Sequence, residues 1–229
     1  MRAGLFPVLL AFIGASAAYG APAPQTPAPI YVVTYVDVQA GGVSDAQAAL
    51  KHYREASRQE SGAQSIDVYQ QKGRINGFAV MEVWRDDEAF GAHDRGKAFA
   101  RLNRDMKPIL LGPFDVRPNT AYTREPVDSE RMGPVVSITH VDVPPPFLED
   151  SGRLVKRYVH DSRDDGGLRR LDVLQGVAPR PNHFTVIESW ASEADLSAHQ
   201  MAAHTRDYRE GLAPKLGSLY DERMYQRLD

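Results

Sequence analysis

The chain contains no cysteine. That absence excludes disulfides, thiolate-held metals and a cysteine nucleophile. An excess of one charge is also missing. Twenty-seven Lys and Arg stand against thirty Asp and Glu, so nothing marks a surface for nucleic acid or an anionic membrane. Long apolar runs are absent beyond Leu5–Ile13, and that one is too short for a bilayer, which takes about 20 residues. It follows Arg2 and precedes a mostly small-residue stretch, Gly14 to Gly20, the layout of a secretory signal peptide. Residues 1–20 are therefore expected to be removed, and 21–29, rich in Pro and Ala, to form a disordered lead-in. The mature chain is expected to be exported, periplasmic or secreted, without a membrane partner. No Gly-rich dinucleotide fingerprint, haem-attachment motif or serine-nucleophile pattern occurs. None of the seven histidines forms an i, i+4 pair. His199 and His204, five apart, fall on different helix faces, so no metal site is expected.

What is present is repetition. Thr34-Tyr35-Val36-Asp37-Val38 returns as Thr139-His140-Val141-Asp142-Val143, 105 positions on. Glu82-Val83-Trp84 returns as Glu188-Ser189-Trp190, and Ala92-His93 as Ala198-His199, at an offset of 106. Pro108, Asp115 and Arg117 are matched by Pro214, Asp221 and Arg223. The period is too long for a solenoid, so each copy is expected to be a small domain, and the chain a covalent dimer.

Within the first copy, residues 30–122, Ile30 to Val38 reads as a β-branched strand. Ser44 to Ala56 carries a helical spacing of Ala48, Ala49, His52 and Tyr53. Ser65 to Gln70 and Phe78 to Trp84 alternate as strands about a turn at 72–77. Asp86 or Asp87 caps a second helix through Phe90, His93, Phe99, Leu102 and Met106, closed by Pro108. A polar strand ends the unit by Tyr122. The second copy, 135–229, follows the same order after a polar linker, 123–134. The βαββαβ order predicts an α+β fold: two ferredoxin-like units, helices on one face of each antiparallel sheet, packed sheet to sheet as a pseudo-dimeric barrel.

The run Glu82-Val83-Trp84-Arg85-Asp86-Asp87-Glu88-Ala89-Phe90-Gly91-Ala92-His93, with its echo from Glu188 to His199, resembles the antibiotic biosynthesis monooxygenase (ABM) domain. That family carries a strand ending in Trp, an acidic turn, and a helix whose second turn bears a His. The resemblance covers 30–122 and 135–228. It implies a cofactor-independent monooxygenase, with dioxygen as co-substrate and a quinol or polycyclic phenol supplying the electrons. Relatives of the fold that degrade haem use an Asn on the first strand. Neither Ile30–Val38 nor Val135–Val143 has one.

Several side chains then compete for roles. His93 and His199 are the candidate catalytic residues, able to orient or deprotonate a phenolic group. Trp84 and Trp190 are candidate pocket walls or, alternatively, packing anchors between strand and helix. Tyr35 and His140 occupy equivalent positions but differ, and that is where a single working pocket would show itself. Tyr53 and Tyr158 are matched candidates on the first helices. Asp37 and Asp142 either pair with a neighbouring histidine or simply sit at strand ends, the latter being the expectation. The competing reading is a non-catalytic, stress-related barrel that binds a small hydrophobic ligand. An enzyme would present a polar group such as His93 to the cavity that an aromatic wall lines, whereas a histidine buried in packing favours binding. The expected partners are a small aromatic or quinol substrate and the chain's own second copy, with a further homo-oligomer left open.

Overall fold

A computed structural model describes residues 28–124 and 132–229. The expected signal segment, most of the lead-in and much of the linker lie outside the described residues. The first repeat contains β1 (Ile30–Asp37), α1 (Val43–Ser57), β2 (Ala63–Gln71), β3 (Gly77–Trp84), α2 (Asp87–Asp94), α3 (Lys97–Met106) and β4 (Asp115–Arg124). The second contains β5 (Val135–Asp142), α4 (Leu148–Ser162), β6 (Leu168–Gly176), β7 (His183–Trp190), α5 (Glu193–Met201), α6 (Ala203–Leu212) and β8 (Asp221–Arg227).

All eight strands close one barrel in the order β1-β3-β2-β8-β5-β7-β6-β4. Closure comes from exchange between copies: β4 pairs with both β1 and β6, and β8 with both β5 and β2. Each repeat alone would leave two unpaired sheet edges, β2 and β4 in the first and β6 and β8 in the second, and the fused arrangement removes all four. The barrel is thus the expected pseudo-dimer, with helices outside and a shared interior.

Strand alternation sorts the side chains into three cores. Phe78, Val80 and Trp84 of β3 face α1–α3, together with Leu50, Leu102 and Met106. Phe184, Val186 and Trp190 of β7 repeat this against α4–α6. The opposite faces meet inside the barrel, where Tyr31, Val33, Tyr35, Met81, Ile138 and Tyr225 pack across the two copies. Polar clusters close the interior at its ends. Asp172, 1% exposed, takes Arg124 at 3.0 Å and Arg170 at 2.5 Å.

The expected second helix of each repeat is instead two helices. Asp86 caps α2 by accepting from Ala89 N at 2.8 Å, but the chain turns extended at Gly96 before α3. There a Cβ would lie 2.8 Å from His93 O, so the turn suits glycine. In the second repeat Ala202 is extended at ψ 151° between α5 and α6. Ser192 caps α5, accepting from Asp195 N at 3.1 Å while its hydroxyl donates to Asp195 Oδ2 at 2.6 Å.

Candidate functional site

Two buried polar clusters sit between sheet and helices, related by the repeat. In the first, the Tyr53 hydroxyl of α1 donates to Glu82 Oε1 at 2.5 Å and lies 2.7 Å from His93 Nε2. With its one proton given to Glu82, Tyr53 accepts from the imidazole. The other ring nitrogen, Nδ1, meets Glu60 Oε2 at 2.7 Å. Trp84 stacks on His93 with centroids 4.4 Å apart and directs its indole N–H to Glu82 Oε2 at 3.4 Å. The second cluster repeats each contact. Tyr158 donates to Glu188 and lies 2.7 Å from His199 Nε2, Asp165 Oδ2 is 2.6 Å from His199 Nδ1, and Trp190 reaches Glu188 at 3.4 Å.

The candidates His93, His199, Trp84, Trp190, Tyr53 and Tyr158 are thus brought together, three to a repeat. They are closed in packing: His93 and His199 are 2% exposed and both tryptophans 0%. Burial also pushes the Glu82 carboxyl and the Tyr53 and Tyr158 hydroxyls upward in pKa, with Glu82 and Glu188 adding to the tyrosine shifts. Glu82 and Glu188, unassigned in the sequence reading, are the hubs. Their signal was present: an acidic residue on the inward face of an otherwise apolar strand, repeated at the same offset.

Tyr35 and His140 are elsewhere, inside one mouth of the barrel. β1 and β5 approach so that the Tyr35 hydroxyl lies 2.5 Å from His140 Nε2, with Thr185 Oγ1 3.2 Å from Nδ1. Burial, then Arg117, pushes the His140 pKa down to about 3, which leaves the ring neutral at physiological pH. Burial likewise raises Tyr35. The guanidinium groups of Arg117 and Arg223 lie 5.1 and 5.2 Å from the Tyr35 ring centre, in range for cation–π attraction. Each arginine is held by its strand neighbour, Arg117 by Asp115 at 2.5 Å and Arg223 by Asp221 at 2.7 Å. The matched Asp-x-Arg pairs were visible in the sequence, but their convergence on one mouth was not.

A cavity opens on each side of this pair. On the His140 side about 250 Å³ is walled by Val116, Pro118, Val177 and Pro179, with Arg117, Arg180 and His183 among the polar groups. No carboxylate is among the described residues that line it. On the Tyr35 side about 240 Å³ is more polar and includes Asp37, Arg74 and Asp115. Asp37 and Asp142 do sit at strand ends, Asp37 3.2 Å from Arg74 and Asp142 3.5 Å from His183.

This architecture has known counterparts. A model of the antibiotic biosynthesis monooxygenase family matches residues 29–105 and again 134–211. The protein named "Putative monooxygenase YcnE" of Bacillus subtilis (strain 168) is 31% identical over 74 residues, which cover 32% of this chain and 74% of that protein. Two solved structures superpose on the whole barrel. One, a "Putative monooxygenase" of Fusobacterium nucleatum subsp. nucleatum ATCC 25586, has TM-score 0.76 and 16% identity, covering 89% of this chain and 94% of that one. The other, an anthrone oxidase-like protein, has TM-score 0.70 and 14% identity, covering 87% and 91%. At those identities they show the fold alone. The two matches to the family model lie one in each repeat and together make up more than half of the chain, which therefore belongs to the antibiotic biosynthesis monooxygenase family.

Proposed function

We propose that this chain is a cofactor-independent monooxygenase of a quinol or phenol, working in the cavity beside His140, and that it acts after export. The observation that carries this reading is the lining of the cavity. Apolar walls can hold a ring. Arg117 is already paired with Asp115, but Arg180 lies beside the cavity with no lining carboxylate, which favours the anionic form of a phenol. Neutral His140, its Nε2 taken by the Tyr35 hydroxyl, offers its Nδ1–H to a phenolate oxygen once that oxygen replaces Thr185. The volume is just under the roughly 300 Å³ at which pockets for drug-sized ligands begin, so a substrate of one or two rings fits better than a larger polycycle.

The chemistry balances without a cofactor. The phenolate, or its carbon-centred tautomer, gives electrons to dioxygen and forms a hydroperoxide at a ring carbon. Loss of that carbon's hydrogen with cleavage of the O–O bond leaves a carbonyl and releases water. One oxygen atom enters the product and the other leaves as water. The protein's part is to orient the substrate and stabilise its ionised form, the phenolic proton passing to solvent. His93 and His199 then act from behind the strands as positioning residues, holding Trp84 and Trp190 in register.

A second reading, ligand binding without turnover, is favoured by the closure of both Trp–His clusters in packing. One experiment separates the two. Dioxygen uptake is measured with a panel of small quinols, alongside the ultraviolet band of the bound phenol. Uptake above autoxidation that falls at least tenfold in His140→Gln and in Arg180→Ala supports the oxygenase. A phenolate band without uptake supports binding, and neither signal from a folded protein refutes the cavity assignment.

A further inference from the structure

The second repeat holds a group of side chains that the first lacks. Asp165 follows α4, His199 lies on α5 and His204 opens α6. Asp165 Oδ2 is 2.6 Å from His199 Nδ1 and 3.0 Å from His204 Nε2, and the three donor atoms all fall within 4.8 Å of one another. At the equivalent positions the first repeat has Glu60, His93 and Ala98, so it keeps the carboxylate–imidazole contact but not the second imidazole. The break between α5 and α6 at Ala202 is what places His204 here. On an unbroken helix the two histidines would diverge.

The geometry points to a divalent transition-metal site in the second repeat, with Asp165 Oδ2, His199 Nδ1 and His204 Nε2 as its protein ligands. Two imidazoles and a carboxylate suit zinc, cobalt, nickel or ferrous iron. Two further observations support it, and neither depends on the oxygenase reading. The first is the support behind His199. Its Nε2 faces the hydroxyl of Tyr158, which donates to Glu188. That chain holds the ring from behind and aims Nδ1 at the Asp165 oxygen, as a carboxylate behind a metal-bound histidine does.

The second observation is access. A crevice of about 70 Å³ between α4 and α6 is lined by His204, Tyr158, Tyr208, Asp161 and Asp207, with Arg157 paired to Asp161 at 3.3 Å. The equivalents of Asp161 and Asp207 in the first repeat are Ala56 and Arg101. Acidic groups thus line the approach only where the third ligand is present. His204 and Asp165 are partly exposed, at 19% and 21%, which leaves room for a water or other exogenous ligand on the crevice side. Seating an ion at roughly 2.0–2.2 Å from each donor requires the carboxylate to draw back from His199 by about 0.4 Å at octahedral and about 0.8 Å at tetrahedral angles.

The test uses the untagged chain, stripped with chelator and titrated with Co²⁺ while the visible d–d bands are followed, with Zn²⁺ as competitor. The expected result is one equivalent of Co²⁺ displaced by Zn²⁺. Binding should weaken at least about tenfold in His204→Ala and in Asp165→Asn, and be unchanged in His52→Ala, an exposed histidine on α1. Far-UV circular dichroism and the metal-free melting temperature confirm that the variants fold. Absence of binding by the native chain, or binding that survives His204→Ala, overturns the assignment.

Discussion

Acidification from about pH 7.5 to 5.0 should cost this fold about 2 kcal/mol through His140 alone. In the unfolded chain a histidine titrates near 6.5. In the folded chain burial and Arg117 push His140 down to about 3. The unfolded state therefore binds a proton that the folded state refuses, and stability is lost as pH falls through 6.5 toward 3. Between pH 7.5 and 5.0 the loss is RT ln(1 + 10^1.5), about 2 kcal/mol. For a chain of this length that lowers the melting temperature by roughly 4–8 °C. His140→Gln keeps an acceptor for Tyr35 but cannot titrate, so its melting temperature should fall less over the same interval. The readout is the difference between the two proteins' shifts by calorimetry or circular dichroism, in which the other titrating groups cancel. Identical shifts would show that His140 takes up its proton in the folded chain as readily as in the unfolded one, and would refute the argument that burial and Arg117 keep the ring neutral at pH 5.

Other substitutions test the rest of the structure. Glu82→Ala leaves the Tyr53 hydroxyl and the Trp84 indole N–H without their buried acceptor, and should destabilise by about 3–5 kcal/mol in urea titrations. Glu82→Gln should cost less than half as much, and a loss under 1 kcal/mol for the alanine variant would sink the hub assignment. Asp172→Ala removes the buried acceptor of Arg124 and Arg170, which can both turn toward water, and should lower stability by about 1–3 kcal/mol. Gly62→Ala and Gly167→Ala each place a Cβ at positive φ against a neighbour, Ala89 and Asp195 respectively. Each should cost more than about 1 kcal/mol. Gly73→Ala, at φ 76° with open space around it, should cost only the backbone strain, and equal losses at all three glycines would refute the steric argument.

Local order was legible because it is written in local pattern. The alternation from Phe78 to Trp84 and the cap at Asp86 need only neighbours a few residues away, and the structure has both. Tyr35 and Val33, two apart on β1, share the barrel-facing side by the same alternation. What escaped was decided at long range or by a single backbone angle. Glu82 is legible as an acidic residue on an apolar strand face, but its partners are not, because α1 and α2 bring Tyr53 and His93 to it from a distance in the chain. The break at Ala202 gives no signal in a run of good helix formers, yet it changes which side chains His199 meets. The Tyr35–His140 contact joins residues 105 apart. Nothing between them announces it except that the two repeats differ there.

That difference has a physical reading. In a symmetric dimer, residues facing each other across the two-fold axis are identical, so a donor meets a donor and an acceptor an acceptor. Two tyrosines or two neutral histidines at the barrel mouth could pair only by breaking the symmetry through proton placement. Fusing the copies lifts that constraint, and Tyr35 against His140 is a matched hydroxyl and imidazole at 2.5 Å. The same release shows at the other departure from symmetry. Asp165, His199 and His204 stand where the first repeat has Glu60, His93 and Ala98. The buried Glu–Tyr–His–Trp clusters, by contrast, are alike in both copies, as packing requires when each copy must fill the same space. Retained symmetry therefore marks what holds each half together, and broken symmetry marks where one half took on work of its own. Restoring the symmetry makes this testable. Tyr35→His should weaken the mouth contact and His140→Tyr should abolish phenolate binding beside it, while neither should move Co²⁺ binding at the second repeat. Coupled loss of both functions would mean that the two asymmetric sites act as one.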